Sequence, residues 1–194
     1  MGRPPRKKAI IERSALELFA EHGIDGTSIR MIAEKAGVTE GALYRHHASK
    51  DDLVRSLFFQ YFERIAELLA QAQESGESVD QKIRAMIRGF FTFYDDDPKG
   101  FRFVLLVQHV LLENVRGDME NPVEVIMGVL KKAVKKGEIP KQDVALSAQI
   151  LLGIVMQTAI GHRYKRVQGP LVQHSTVIAD ACLRVLQFRG SGES

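Results

Sequence analysis

The stretch TSIRMIAEKAGVTEGALYRHHASKDDL, residues 27–53, decides the fold. Ile29, Ile32, Ala33 and Ala36 fall at the three-and-four spacing that puts one stripe on the inward face of a helix, here from about Ser28 to Lys35. Gly37 follows at once, where a chain leaving a helix needs a left-handed residue. Val38 can plug the core, and Thr39 is an N-cap for a second short helix through about His46. Two short helices joined by a tight turn form a helix-turn-helix, whose second helix can enter the major groove of DNA. Ser49-Lys50-Asp51-Asp52 then places an acid three residues after a serine, a capping pattern that opens another helix.

The second helix has a composition suited to close approach. Gly41 and Ala42 are small, and Leu43 is its inward anchor. Tyr44 can donate to a phosphate or lie against thymine methyl groups, while Arg45, His46 and Lys50 can bind phosphates. His46-His47 does not make a metal site. Adjacent helical residues diverge by about 100°, and no Cys or acidic cluster completes the pair.

Three runs in this stretch, T-x-I-x-x-I-A-x-x-A-G-V, G-A-L-Y-R-H and S-K-x-x-L, resemble the DNA-binding region of the TetR family of bacterial transcriptional regulators. The resemblance covers about residues 8–55. One position departs from it: His47 stands where the family usually has an aromatic residue, most often Phe. The resemblance implies Glu40, Gly41, Ala42 and Tyr44 near the bases, Thr27, Ser28, Arg45, His46 and Lys50 near the DNA backbone, and Thr39 among the DNA-binding residues. It also implies a homodimer through the last two helices and a C-terminal pocket for a small effector.

Composition is consistent with this reading. With 194 residues and 45% apolar content, the chain can bury a real core. The net charge of +3 resides in residues 1–50, which hold nine Lys/Arg against six Asp/Glu. Arg3, Arg6, Lys7 and Lys8 precede the first acid, Glu12, so basic surplus lies beside the motif. Residues 1–7 form a Pro-containing arm whose Arg3 or Arg6 can slip into a flanking minor groove, or simply fray. A single cysteine, Cys182, permits no internal disulfide, and MGRPPRKK lacks a signal peptide's apolar stretch. The apolar run from Ile150 to Gly161 is interrupted by Gln157 and Thr158 and is too short to span a bilayer. The chain is therefore expected in the cytoplasm, with no membrane association.

The remaining pattern predicts an all-α protein of about nine helices: a three-helix helix-turn-helix domain over 1–52 and a helical domain over 53–190, which the resemblance implies is for effector binding and dimerisation. A helix at about 8–22 carries Ile11, Ala15, Leu18 and Phe19 on one face, and a long one runs from Ser49 to about Glu74. Others are expected at about 78–94, 99–114, 122–136, 141–165 and 170–188. Asp95-Asp96-Asp97-Pro98 reads as a solvated loop, not a cation site, and Lys131, Lys132, Lys135 and Lys136 as a solvated helix end. The helix over 141–165 has a wide apolar surface with small residues, which a monomer would leave partly exposed.

A palindromic duplex read by a dimer, weakened by salt and released by ligand, is the expected mode of action, with repression the family's usual outcome. Phe90, Phe93, Phe101, Val104, Gln108, Met127, Met156 and Gln157 are the candidate pocket residues, which suit an apolar or aromatic effector. The alternative is a dimeric DNA-bound adaptor whose C-terminal part binds a protein. No catalytic spacing, metal box, P-loop or dinucleotide fingerprint is apparent, so neither an enzyme nor a cofactor is expected.

Overall fold

A computed structural model describes residues 6–111 and 121–187. Among them are nine α-helices and no strand: α1 (Arg6–His22), α2 (Ile29–Ala36), α3 (Glu40–Tyr44), α4 (Lys50–Glu74), α5 (Val79–Asp96), α6 (Pro98–Leu111), α7 (Pro122–Lys136), α8 (Val144–Arg163) and α9 (Ser175–Gln187). A 3₁₀ turn, Leu171–His174, replaces the expected first turn of the last helix. The tail 190–194 and the arm residues 1–5 lie outside the described residues.

The helices sort into two compact units. One takes in the chain up to Phe62 together with α6; the other takes Glu63–Asp96 and the described residues from 121 onward. α4 therefore contributes its first half to one unit and its second half to the other.

In the first unit the core is built from Ile11, Ala15 and Phe19 of α1, Ile32 of α2, Leu43 of α3, Leu53, Leu57 and Phe58 of α4, and Phe103, Val104 and Val107 of α6. Helix α6 is apolar on most of its surface, and this unit is what it serves. Asp97 accepts the Gly100 N–H at 2.9 Å, and its other carboxylate oxygen accepts the Tyr61 hydroxyl of α4. A Cβ at position 100 would collide with the Tyr61 ring, so glycine permits this approach.

In the second unit α5 packs on α9, α7 and α8, and α8 packs on α7 and α9. Asp95 accepts the backbone N–H groups of Leu171 and Val172, each at 2.9 Å, and so fixes the 3₁₀ turn to α5. Tyr94 is buried with its hydroxyl 3.0 Å from His162 Nδ1. Gln157 and Thr158 do not interrupt α8: the Thr158 hydroxyl turns back to the Ile154 carbonyl at 2.7 Å. The helix is 20 residues long and, by length and composition, apolar enough to cross a membrane. That differs from the shorter run expected. Its buried residues, Ser147, Ala148, Leu151, Ala159 and Gly161, form one face, while Leu146, Ile150 and Gly153 are exposed.

Candidate nucleic-acid interface

Each boundary of the helix-turn-helix is set by a local bond. Ser28 caps α2, its hydroxyl oxygen accepting the Met31 N–H at 3.2 Å. Gly37 ends α2 in the left-handed region (φ 66°), and the Val38 N–H returns to the Ala33 carbonyl at 3.0 Å. Thr39 caps α3 by accepting the Ala42 N–H at 3.2 Å. Ser49 accepts the Asp52 N–H at 3.0 Å, while the Asp52 carboxylate accepts the Ala48 N–H at 3.1 Å. A five-residue helix has too few internal bonds to persist alone. It is held by these caps and by Leu43, which has no solvent exposure.

This arrangement leaves Thr39, Glu40, Gly41, Tyr44, Arg45 and His46 exposed along one continuous segment, with Ser28 also exposed. Tyr44 is 50% exposed, a large aromatic with no core role. Nothing lies within 4 Å of a Cβ built on Gly41, so the free protein imposes no need for glycine there.

Three expected DNA-facing residues sit differently. Thr27 is 1% exposed and its hydroxyl donates to the Gly23 carbonyl at 2.8 Å, which commits it to the α1–α2 turn. Ala42 is buried beside Leu43, because the inward face of so short a helix takes in both. Lys50 is half-buried, and its ammonium donates to the Ile24 and Thr27 carbonyls at 2.9 and 3.1 Å. It thereby ties the start of α4 to the turn before α2. Arg3 lies outside the described residues, as does the side chain of Arg6.

The surrounding electrostatics hold the unit together. Lys35 of α2 meets Glu17 of α1 at 3.0 Å, and that hydrogen bond holds the Glu17 carboxyl below its ordinary range. His47, the position that departs from the family pattern, is 3% exposed between α1 and α4. Burial pushes its imidazole below the usual histidine range, against the pull of Glu12 and Asp52. The sequence marks His47 as unusual but contains no signal for which carboxylates face it.

The candidate pocket residues divide between the units. Phe101, Val104 and Gln108 belong to the first, with Phe101 and Val104 buried. Phe90, Phe93, Met127, Met156 and Gln157 belong to the second. There Phe90 and Phe93 are buried, Met127 and Met156 half-buried and Gln157 exposed. The Arg64 guanidinium lies 4.9 Å from the Phe93 ring centroid. A groove of about 230 Å³ in the second unit is lined by Gln73, Lys82, Lys132, Lys136 and Glu138 among others, and by none of the candidates.

A capped helix-turn-helix whose second helix exposes Glu40, Gly41 and Tyr44 is suited to DNA, and comparison with known proteins narrows the class. Residues 11–57 match the family model described as bacterial regulatory proteins, tetR family. The matched segment is a tetR-family DNA-binding region, and the chain is similar to transcriptional regulators. It is 24% identical over 162 residues to the fatty acid metabolism regulator protein of Bacillus subtilis, covering 79% of this chain and 81% of that one. It is 27% identical over 161 residues to the transcriptional repressor KstR2 of Rhodococcus jostii, covering 77% and 76%. The fold is similar to that of FadR from Bacillus subtilis, solved in complex with stearoyl-CoA. The TM-score is 0.76 at 22% identity, covering 90% of this chain and 97% of that one.

Proposed function

We propose that this regulator is a homodimeric repressor that grips a palindromic operator through two copies of α3 and releases it when an effector carrying an apolar chain binds. The observation that carries the reading is the exposed run Thr39, Glu40, Gly41, Tyr44, Arg45 and His46 on a helix that caps and Leu43 hold in place. In this arrangement Glu40, Gly41 and Tyr44 meet base edges, and Ser28, Thr39, Arg45 and His46 meet phosphates. Arg3 or Arg6 enters the flanking minor groove. One helix-turn-helix reads too few base pairs to be selective, and a two-fold dimer doubles them.

The dimer surface is the outer face of α8 with α9, where Leu146, Ile150 and Val177 are exposed. A second copy covers it better than lipid would, because Asp143 and Arg163 bound the helix and its other face packs on α7 and α9. Residues 1–52 act as the DNA-binding part and 53–190 as the effector and dimerisation part, in the cytoplasm.

The effector is a long-chain acyl thioester. The names of the relatives support this: one regulates fatty acid metabolism, and one was solved with stearoyl-CoA. Phe90, Phe93, Met127 and Met156 offer the apolar lining that an acyl chain needs. For release, the ligand must bind the DNA-free conformer better than the DNA-bound one.

The test is selection of random duplex DNA by the full chain, followed by release assays. A palindrome at fixed half-site spacing, displaced by stearoyl-CoA but not by CoA or stearate alone, is the expected result. Recovery of unrelated sequences would remove the operator reading. Indifference to every acyl thioester, with a protein retained on the DNA, would favour the adaptor.

A further inference from the structure

We infer that His47 is a positioning residue for α3 whose uptake of a proton is coupled to DNA binding. This rests on DNA binding by the helix-turn-helix alone, not on the effector or the operator's symmetry. His47 leaves α3 directly: its backbone N–H donates to the carbonyl of Leu43, the anchor of that helix, at 3.0 Å. Its ring is buried at the junction of α1, α3 and α4. There Nε2 lies 3.5 Å from the Glu12 carboxylate of α1, and Nδ1 lies 3.7 Å from the Asp52 carboxylate of α4. Nε2 is buried without a hydrogen-bond partner.

The donor inventory makes this arrangement incomplete. A neutral imidazole has one N–H, and carboxylates only accept, so a neutral ring can satisfy one of its two neighbours. A protonated ring has two N–H groups and can donate to both. Closing 3.5 and 3.7 Å to hydrogen-bond length requires movements of about half an ångström or more, drawing α1 and α4 onto the segment that carries α3. A phenyl ring would fill the site without leaving a polar atom unpaired. The histidine is therefore costly here unless its charged form is used.

The influences on the ring oppose one another, and burial, which disfavours the proton, prevails in the free protein. Glu12 and Asp52 favour the proton, while burial, Lys8 of α1 and neighbouring His46 oppose it. Lys8 also draws on Glu12, at 3.7 Å, and Gln60 of α4 donates to the same oxygen at 2.9 Å. Phosphates arriving at exposed Arg45 and His46 add negative potential within about one Debye length, roughly 10 Å. This offsets Lys8 and His46 and favours the charged ring. By linkage, a proton that DNA makes easier to bind makes DNA easier to bind in turn.

The imidazole resonances of the full chain would be titrated by NMR, free and with duplex, together with affinity from about pH 7.5 to pH 5.5 at constant ionic strength. The probe is the selected duplex or, if selection converges on none, a mixed-sequence duplex of equal length. His47 is expected to titrate at higher pH in the complex. Wild-type affinity should gain about three- to tenfold more on acidification than His47→Phe, below the ceiling of about tenfold per pH unit for one proton. His46→Asn should retain that gain. Identical His47 midpoints with and without DNA would overturn the inference. So would a pH dependence that survives in His47→Phe and disappears in His46→Asn. The wild-type titration decides alone if His47→Phe fails to fold.

Discussion

The ring of Phe19 on α1 stacks on the ring of Phe103 on α6, with centroids 5.8 Å apart and planes inclined by 21°. Both rings are fully buried. Eighty-four residues of sequence separate them, yet they belong to one core, which also holds Leu43 beneath the recognition helix. The DNA-binding unit is thus completed by a helix remote from it in sequence.

Removing one ring tests this. Phe103→Ala should cost about 3–5 kcal/mol, the usual loss for a buried Phe. Chemical denaturation would measure it. Because the lost packing lies in the same core as Leu43, DNA affinity should fall as well. Unaltered binding at undiminished stability would show that α6 is dispensable to the unit.

Gly41 separates a folding role from a binding role. A Cβ there meets nothing in the free protein. Gly41→Ala should therefore leave stability unchanged or raise it by up to about 1 kcal/mol, the difference in helix propensity. If the α3 backbone approaches base edges, the same methyl should weaken DNA binding at least tenfold, about 1.4 kcal/mol. Thr39→Ala, which removes the cap, should lower both stability and affinity, the former by about 1 kcal/mol. Equal affinities for wild type and Gly41→Ala would place the bases elsewhere.

The outer face of α8 and α9 is the predicted contact between copies. Leu146 is 59% exposed and Val177 69%. A charge at these positions should spare the monomer's core and oppose association. Sedimentation of Leu146→Glu/Val177→Glu should show a helical monomer at concentrations where the wild type is a dimer. Its affinity for a two-half-site duplex should approach that for a single half-site. A dimer that persists in the double variant would locate the interface on another face.

His47 also sets an acid limit on stability. Burial lowers its folded pKa below the ordinary histidine value of 6.5. On acidification the unfolded chain takes up this proton first, so the contribution is complete above about pH 6.5 and is lost as pH falls toward the folded value. The melting temperature should therefore drop more steeply between pH 7 and pH 5 in wild type than in His47→Phe. DNA binding should show the opposite sign, gaining on acidification, so the two measurements separate the free protein's cost from the complex's gain. Parallel melting curves for the two proteins would remove this role for His47.

The sequence alone determined what depends on near neighbours along the chain. Gly37, Thr39 and Ser49 announce their caps and turns because each bonds within a few residues of itself. The 3–4 spacing of Ile29, Ile32 and Ala33 marks the inward face of α2, where Ile32 and Ala33 are buried and Ile29 half-buried, and Leu43 marks the anchor of α3. Helix type and order follow from the same short-range rules. Tertiary structure decided which distant groups meet. Thr27 and Lys50 carry side chains suited to phosphate, yet the Gly23 carbonyl holds the first and two carbonyls hold the second. Helix α6 reads only as apolar on most sides; its placement against α1 depends on Phe19, Tyr61 and Asp97. His47 reads as an odd residue in a familiar motif. Its position between Glu12 and Asp52 arises from the packing of α1 against α4, since a carboxylate 35 residues away in sequence leaves no mark on local periodicity.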